Sequence, residues 1–162
     1  MLSPSLEQVR EWAETLLLRT EVVDVDDPAE LAWGLTLKPP HEGGIHVFVG
    51  NFVRDAADHV IAQARIGVSD QHIAAITGLS EHSRRLFFLD LQLGLSQPPL
   101  EIGVEVRPND DTGLQVVVDF SMQLIDENIS KANLYDSFVR FQNAFHTLQS
   151  FLNKLAVLRS WP

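Results

Sequence analysis

The sequence contains no cysteine. A disulfide framework, thiolate catalysis and any zinc site that draws on cysteine are therefore excluded. No apolar stretch approaches the roughly 18 residues that a membrane-crossing helix needs. The opening Met1-Leu2-Ser3-Pro4 has neither a basic segment nor the long apolar run of a secretion signal, so the cytoplasm is the expected compartment. In that compartment the glycosylation sequon Asn128-Ile129-Ser130 carries no weight. Positive charge is scarce as well: 12 Lys and Arg stand against 22 Asp and Glu, a net charge of −10. A phosphate backbone would be repelled, so no nucleic-acid partner is expected. The charges are also unevenly placed. Residues 1–40 hold Glu7, Glu11, Glu14, Glu21, Asp24, Asp26, Asp27 and Glu30, whereas Lys131, Arg140, Lys154 and Arg159 face a single acid, Asp136, in residues 130–162. Complementary solvated faces account for this.

Catalytic signatures are missing in the same way. The glycines at 43, 44 and 50 lead to no Gly-Lys-Ser/Thr, and no Gly-x-Gly-x-x-Gly follows a strand pattern. Gly-x-Ser occurs at 67–69, 78–80 and 94–96, but the second glycine of a nucleophile elbow is replaced by Gln71, His82 and Pro98. Asp24, Asp26 and Asp27 resemble the start of a calcium loop, yet Ala29 and Leu35 stand where glycine and glutamate are required. None of the six histidines has a histidine partner at the i, i+4 spacing that puts two ligands on one helix face. A site assembled across loops from His41, His46, Asp55, Asp58 and His59 is the one arrangement through which the chain could be an enzyme. The principal expectation is that it is not one, with no cofactor and no metal.

What is present is periodicity. Mixed composition, 45% hydrophobic and 21% charged, suits a folded chain, and 162 residues suit a single α+β domain spanning 1–162. Ser3-Pro4 followed by Leu6, Val9, Ala13, Leu16 and Leu17 predicts a helix over about 4–19. Residues 20–28 read as an acidic connection closing on the turn Asp27-Pro28. Leu31, Trp33, Leu35 and Leu37 alternate with polar or small residues and predict a strand, which Pro39-Pro40 stops. Ile45, Val47 and Val49 predict a second strand, Asn51 to Asp58 a turn-like stretch, and 59–66 a third strand. A short helix at about 70–77 and a longer one at about 81–94 follow. The second carries Leu86, Phe87, Phe88, Leu89, Leu91, Leu93 and Leu95, apolar around much of its circumference, as in helices buried on more than one side.

Leu100 to Val106 and Leu114 to Leu124 alternate around the turn Pro108 to Gly113 and predict a hairpin. From Ser130 to Arg159, Leu134, Phe138, Phe141, Phe145, Leu148, Leu152 and Leu155 keep a 4-3 spacing, the seam of a long helix covering a sheet. The expected fold is α+β, a five-stranded antiparallel sheet in the order helix-strand-strand-strand-helix-strand-strand-helix. Trp12, Trp33, Phe87, Phe88 and Leu91, together with Trp161, supply more large apolar surface than one core needs. The first five are the candidate partner-binding residues, because aromatic anchors dominate protein interfaces.

This order of elements resembles the type III secretion chaperone-like superfamily, which also contains the YbjN-type proteins. The chain is similar to an uncharacterised prokaryotic family within it, through Arg19-Thr20-Glu21 leading to Asp27-Pro28, the strand ending Lys38-Pro39-Pro40, Gly67-Val68-Ser69, and Ser83-Arg84-Arg85-Leu86-Phe87-Phe88-Leu89-Asp90-Leu91. The resemblance implies a compact acidic homodimer whose central helix helps form the dimer contact, and which holds extended client segments on apolar patches. A non-catalytic protein- or peptide-binding module is thus the leading expectation. The alternatives are the loop-built His/Asp enzyme and a structural subunit of a larger assembly.

Overall fold

A computed structural model describes residues 4–54, 57–124 and 130–160. In chain order the elements are α1 (Leu6–Thr15), β1 (Arg19–Val23), β2 (Leu31–Lys38), β3 (Val47–Arg54), β4 (Ala57–Gly67), α2 (Asp70–Thr77), α3 (Glu81–Leu95), β5 (Glu101–Asn109), β6 (Gly113–Leu124) and α4 (Lys131–Ser160). The strands form one antiparallel sheet of six, in the order β1-β2-β3-β4-β6-β5. Six strands overturn the expectation of five. The added strand is β1, which starts at the expected end of the first helix and runs into the stretch read as an acidic connection. It is a sheet edge, paired only with β2, and none of its five residues is buried. Edge strands of this kind are short and charged, so no hydrophobic alternation marks them. The turn-like reading of 51–58 also gives way, because Asn51 to Arg54 continue β3 and Ala57 opens β4. Asp55, Trp161 and the first two sequon residues, Asn128 and Ile129, lie outside the described residues.

The chain resolves into two compact units, each discontinuous in sequence. One comprises residues 1–64 and 121–142, the other 65–120 and 143–162. In the first unit the register explains the core. Leu35 stands opposite Val49, which stands opposite Ala62, and Leu37 stands opposite Val47. Directly opposed residues share a sheet face, and this face is 0–1% exposed at all five positions. Helix α1 packs against β1 and β2 with Val9 and Ala13 buried. Leu134, Phe138 and Phe141 of α4 are buried too. Each such side chain is worth roughly 1.5–3 kcal/mol of transfer free energy. Gln142 fixes α4 to the chain entering β3. Its Oε1 accepts from the Ile45 N–H at 3.1 Å and its Nε2 donates to the Ile45 carbonyl at 2.8 Å.

The opposite face of this unit carries Gly34 opposite Gly50, Thr36 opposite Phe48, and Leu31 opposite Phe52. Antiparallel sheets tolerate one open face, and here the side chains of Thr36, Phe48, Phe52 and Ile61 all remain part-exposed. The two glycines make room for one ring. A Cβ on Gly34 or on Gly50 would come within 2.7 Å of the Phe48 ring. Phe48 in turn meets Phe52 edge-on, centroids 6.2 Å apart.

Helix α1 is shorter than the sequence pattern suggests. Ser5 is its cap, accepting from the Gln8 N–H at 3.2 Å. The helix stops because Leu17 adopts a left-handed backbone, φ 62°. Leu18 N–H then reaches the Ala13 carbonyl and Leu17 N–H the Glu14 carbonyl, both at 3.0 Å. This is a closing geometry usually built on glycine.

In the second unit Ile73 and Ile76 of α2, Leu91 and Leu95 of α3, Val116, Val118 and Phe120 of β6, and Leu148 and Leu152 of α4 form the core. Gly94 admits α4 closely, since a Cβ there would lie 2.6 Å from the Phe151 ring. On the outer side of the strands Arg65 makes a paired contact with Asp119, at 2.8 and 3.2 Å, and approaches Glu105 at 3.5 Å. That hydrogen bond and its charge raise the Arg65 pKa above its ordinary value.

Candidate functional site

Helix α3 begins at Ser80, whose hydroxyl accepts from the Ser83 N–H at 3.2 Å. Residues 3 and 4 apart lie together on a helix, so the sequence sorts into two faces. Leu91 and Leu95 are 1% and 0% exposed and point inward. Leu86, Leu89 and Leu93, at i, i+3 and i+7, are 47%, 51% and 66% exposed. Phe87 and Phe88 are half-buried and meet edge-to-face, centroids 5.5 Å apart. Leu89 and Leu93 continue into a groove of about 610 Å³ shared with Leu100 and Ile102 beside β5. An apolar stripe that its own unit leaves to solvent is the kind of surface that partners cover.

The five residues singled out from the sequence do not form one site. Trp12 on α1 and Trp33 on β2 are half-buried in the first unit, while Phe87 and Phe88 belong to the second. Leu91 is interior and holds α3 to its core. The exposed leucines were missed as site residues, although the i, i+3, i+7 spacing opposite Leu91 and Leu95 carries the signal. The apolar circumference of α3 therefore reflects one buried face and one bare face within the chain.

A second feature lies in the first unit. Asp24, Asp26, Asp27 and Glu30 line a groove of about 600 Å³ with Leu31, Phe52 and Val53. Asp27 Oδ1 accepts from the Ala29 N–H at 2.9 Å, shaping the turn before β2. Nearby on β1, Glu21 is paired with Lys38, and this hydrogen bond and charge hold its carboxyl below the usual range. His46 adds a smaller effect in the same direction.

The remaining polar groups disperse. His41 and His46 sit on the connection between β2 and β3, whereas His59 on β4 bonds Gln123 at 3.2 Å. Asp55 and the side chain of Asp58 lie outside the described residues. No group of three or more His, Cys, Asp or Glu that could hold a metal occurs among the described residues. His72 bridges Ser69 at 2.8 Å and Asn153 at 3.3 Å. It ties the start of α2 to α4, and its second nitrogen meets an amide rather than a carboxylate. No helix among the described residues is long and apolar enough to cross a membrane.

The fold has a solved counterpart. The crystal structure of an uncharacterized protein from Methanothermobacter thermautotrophicus is similar over 91% of this chain and 96% of that one, with TM-score 0.74 and 16% identity. That of YbjN from E. coli matches over 98% of this chain and 96% of that one, with TM-score 0.39 and 14% identity. No curated protein matches the sequence significantly. A family model for an uncharacterized conserved protein matches residues 5–152. The resemblance read from the Arg19 to Pro28, Lys38-Pro39-Pro40 and Ser83 to Leu91 segments thus finds its family, and the chain belongs to the uncharacterized conserved protein family DUF2299.

Proposed function

We propose that this protein is a non-catalytic, cytoplasmic protein-binding module, chaperone-like in holding a client segment, and that it works as a homodimer joined through α3. The observation that supports this reading is the bare stripe of Leu86, Leu89 and Leu93 on a helix whose other face is already buried. In a two-fold contact the same patch enters from both copies, so the three leucines count twice. Since each leucine is already about half-buried, roughly half of the 1.5–3 kcal/mol for a leucine taken from water remains to be gained, and six of them offer about 5–9 kcal/mol, within the estimated 4–15 kcal/mol cost of association. Phe87, Phe88 and the groove beside β5 extend the patch toward the roughly 800 Å² per partner of a stable interface.

Sedimentation velocity tests the proposal. Wild-type protein is expected at twice the chain mass, and a Leu89→Glu, Leu93→Glu variant at the monomer mass with unchanged far-UV circular dichroism. A wild-type monomer at about 100 μM, which would hold any dimer to roughly 5.5 kcal/mol or weaker, would remove the dimer. A variant that still dimerises would remove α3 from the contact.

A further inference from the structure

We propose that the open sheet face of the first unit, together with the acidic groove at its end, binds an extended segment of a partner protein in which basic residues alternate with apolar ones. The proposal rests on the reading of the chain as a protein-binding module and names the client's chemistry.

The argument is one of continuity and charge. Leu31 and Phe52 are opposed in register, and both line the groove. Phe52 contacts Phe48, whose ring covers the bare backbone of Gly34 and Gly50. Leu31 also closes on Gly50, since a Cβ there would stand 2.9 Å from the Leu31 methyl. Beyond Gly34 the track reaches Val23, 3.3 Å from a Cβ at that glycine. One apolar path therefore runs from the edge strand into the groove, on the side away from the buried face. Its open end is lined by Asp24, Asp26, Asp27 and Glu30, and no Lys or Arg side chain among the described residues joins the lining. None of these four carboxylates is ion-paired with a described residue.

Four carboxylates that line one groove, none ion-paired with a described residue, favour a cationic partner. The apolar track supplies what a simple counter-ion does not use. An extended strand projects alternate side chains to opposite sides, so a Lys/Val repeat can lay its valines along the track while the lysines nearest the groove turn their long side chains to the acids at its open end.

Fluorescence anisotropy and amide NMR with the full chain test this, using a labelled peptide of alternating lysine and valine. Binding is expected, with shifts at Leu31, Phe48 and Phe52. Asp24→Asn, Asp26→Asn, Glu30→Gln together should weaken it by about tenfold or more, as should raising salt. Peptides with glutamate for lysine, or serine for valine, should bind about tenfold more weakly. Equal affinity for the neutralised variant, or for the Lys/Ser peptide, overturns the proposal. So do shifts confined to α3. If neutralising the acids changes sedimentation instead of peptide affinity, the face serves a second copy and the client reading falls. The Leu89→Glu, Leu93→Glu variant should keep full peptide affinity whether or not wild-type protein is a dimer, so failure of the α3 contact and failure of this face are read separately. Loss of peptide binding in that variant would move the client to the α3 surface.

Discussion

Leu17 is held where a leucine does not belong. Its left-handed backbone costs a side-chain-bearing residue about 1–2 kcal/mol, and its side chain is 77% exposed, so burial returns little. Glycine would remove the clash but lose roughly 0.5–1 kcal/mol of chain entropy. Leu17→Gly is therefore expected to raise the unfolding free energy by up to about 1 kcal/mol. Urea titration checks this, and a lower midpoint would show that the leucine side chain contributes packing that its exposure conceals. The same residue explains a failure of sequence reading. The spacing from Leu6 puts Leu16 and Leu17 on the apolar stripe of a helix running to about residue 19. The helix ends at Thr15, the phase resets, and it is Leu18 that is buried, at 7% exposure. Asn51 was equally illegible. It is 4% exposed in mid-strand, its Oδ1 has no hydrogen-bond partner among the described residues, and nothing in its neighbours in sequence announces a buried amide.

Among elements, legibility follows burial on one face. In β6, Val116, Val118, Phe120, Met122 and Leu124 are 0–5% exposed at every second position, so period two is written into the composition. In β1 neither face is buried, and Val22 and Val23 stand side by side, so the strand is specified by its partner β2 instead. The Lys38–Glu21 pair is part of that specification. Its carboxyl pKa is lowered in the folded state, so the stabilisation is present above the ordinary carboxylate range and is lost as pH falls through the folded value. Wild-type protein is expected to be slightly more stable than Glu21→Gln at neutral pH. The gap should close as pH drops below about 4, the ordinary Glu range. Denaturation midpoints of both proteins across pH check the sign. A gap that widens in acid would mean that Glu21 gains nothing from Lys38.

At the scale of the molecule, the division into two units was hidden because its boundaries fall inside β4, β6 and α4 rather than in a linker. No Gly/Pro-rich stretch marks such a boundary, and hydrophobic spacing reports secondary structure without reporting which segments cluster. The leucine stripe of α3 was hidden for a related reason, since periodicity shows that a face is apolar but not whether the same chain covers it. Self-association through that face, as proposed above, would have a consequence for the whole protein. If folding and dimerisation are coupled, stability follows concentration by mass action. A tenfold rise in protein concentration adds about 1.4 kcal/mol per dimer, or about half that per chain. For a chain of this size the melting temperature should then climb by roughly 2 °C per tenfold. Differential scanning calorimetry over two decades of concentration should show this climb for wild-type protein and a flat line for Leu89→Glu, Leu93→Glu. A flat line for both would place the folded monomer at the end of the pathway and leave the bare face of α3 for a partner other than a second copy.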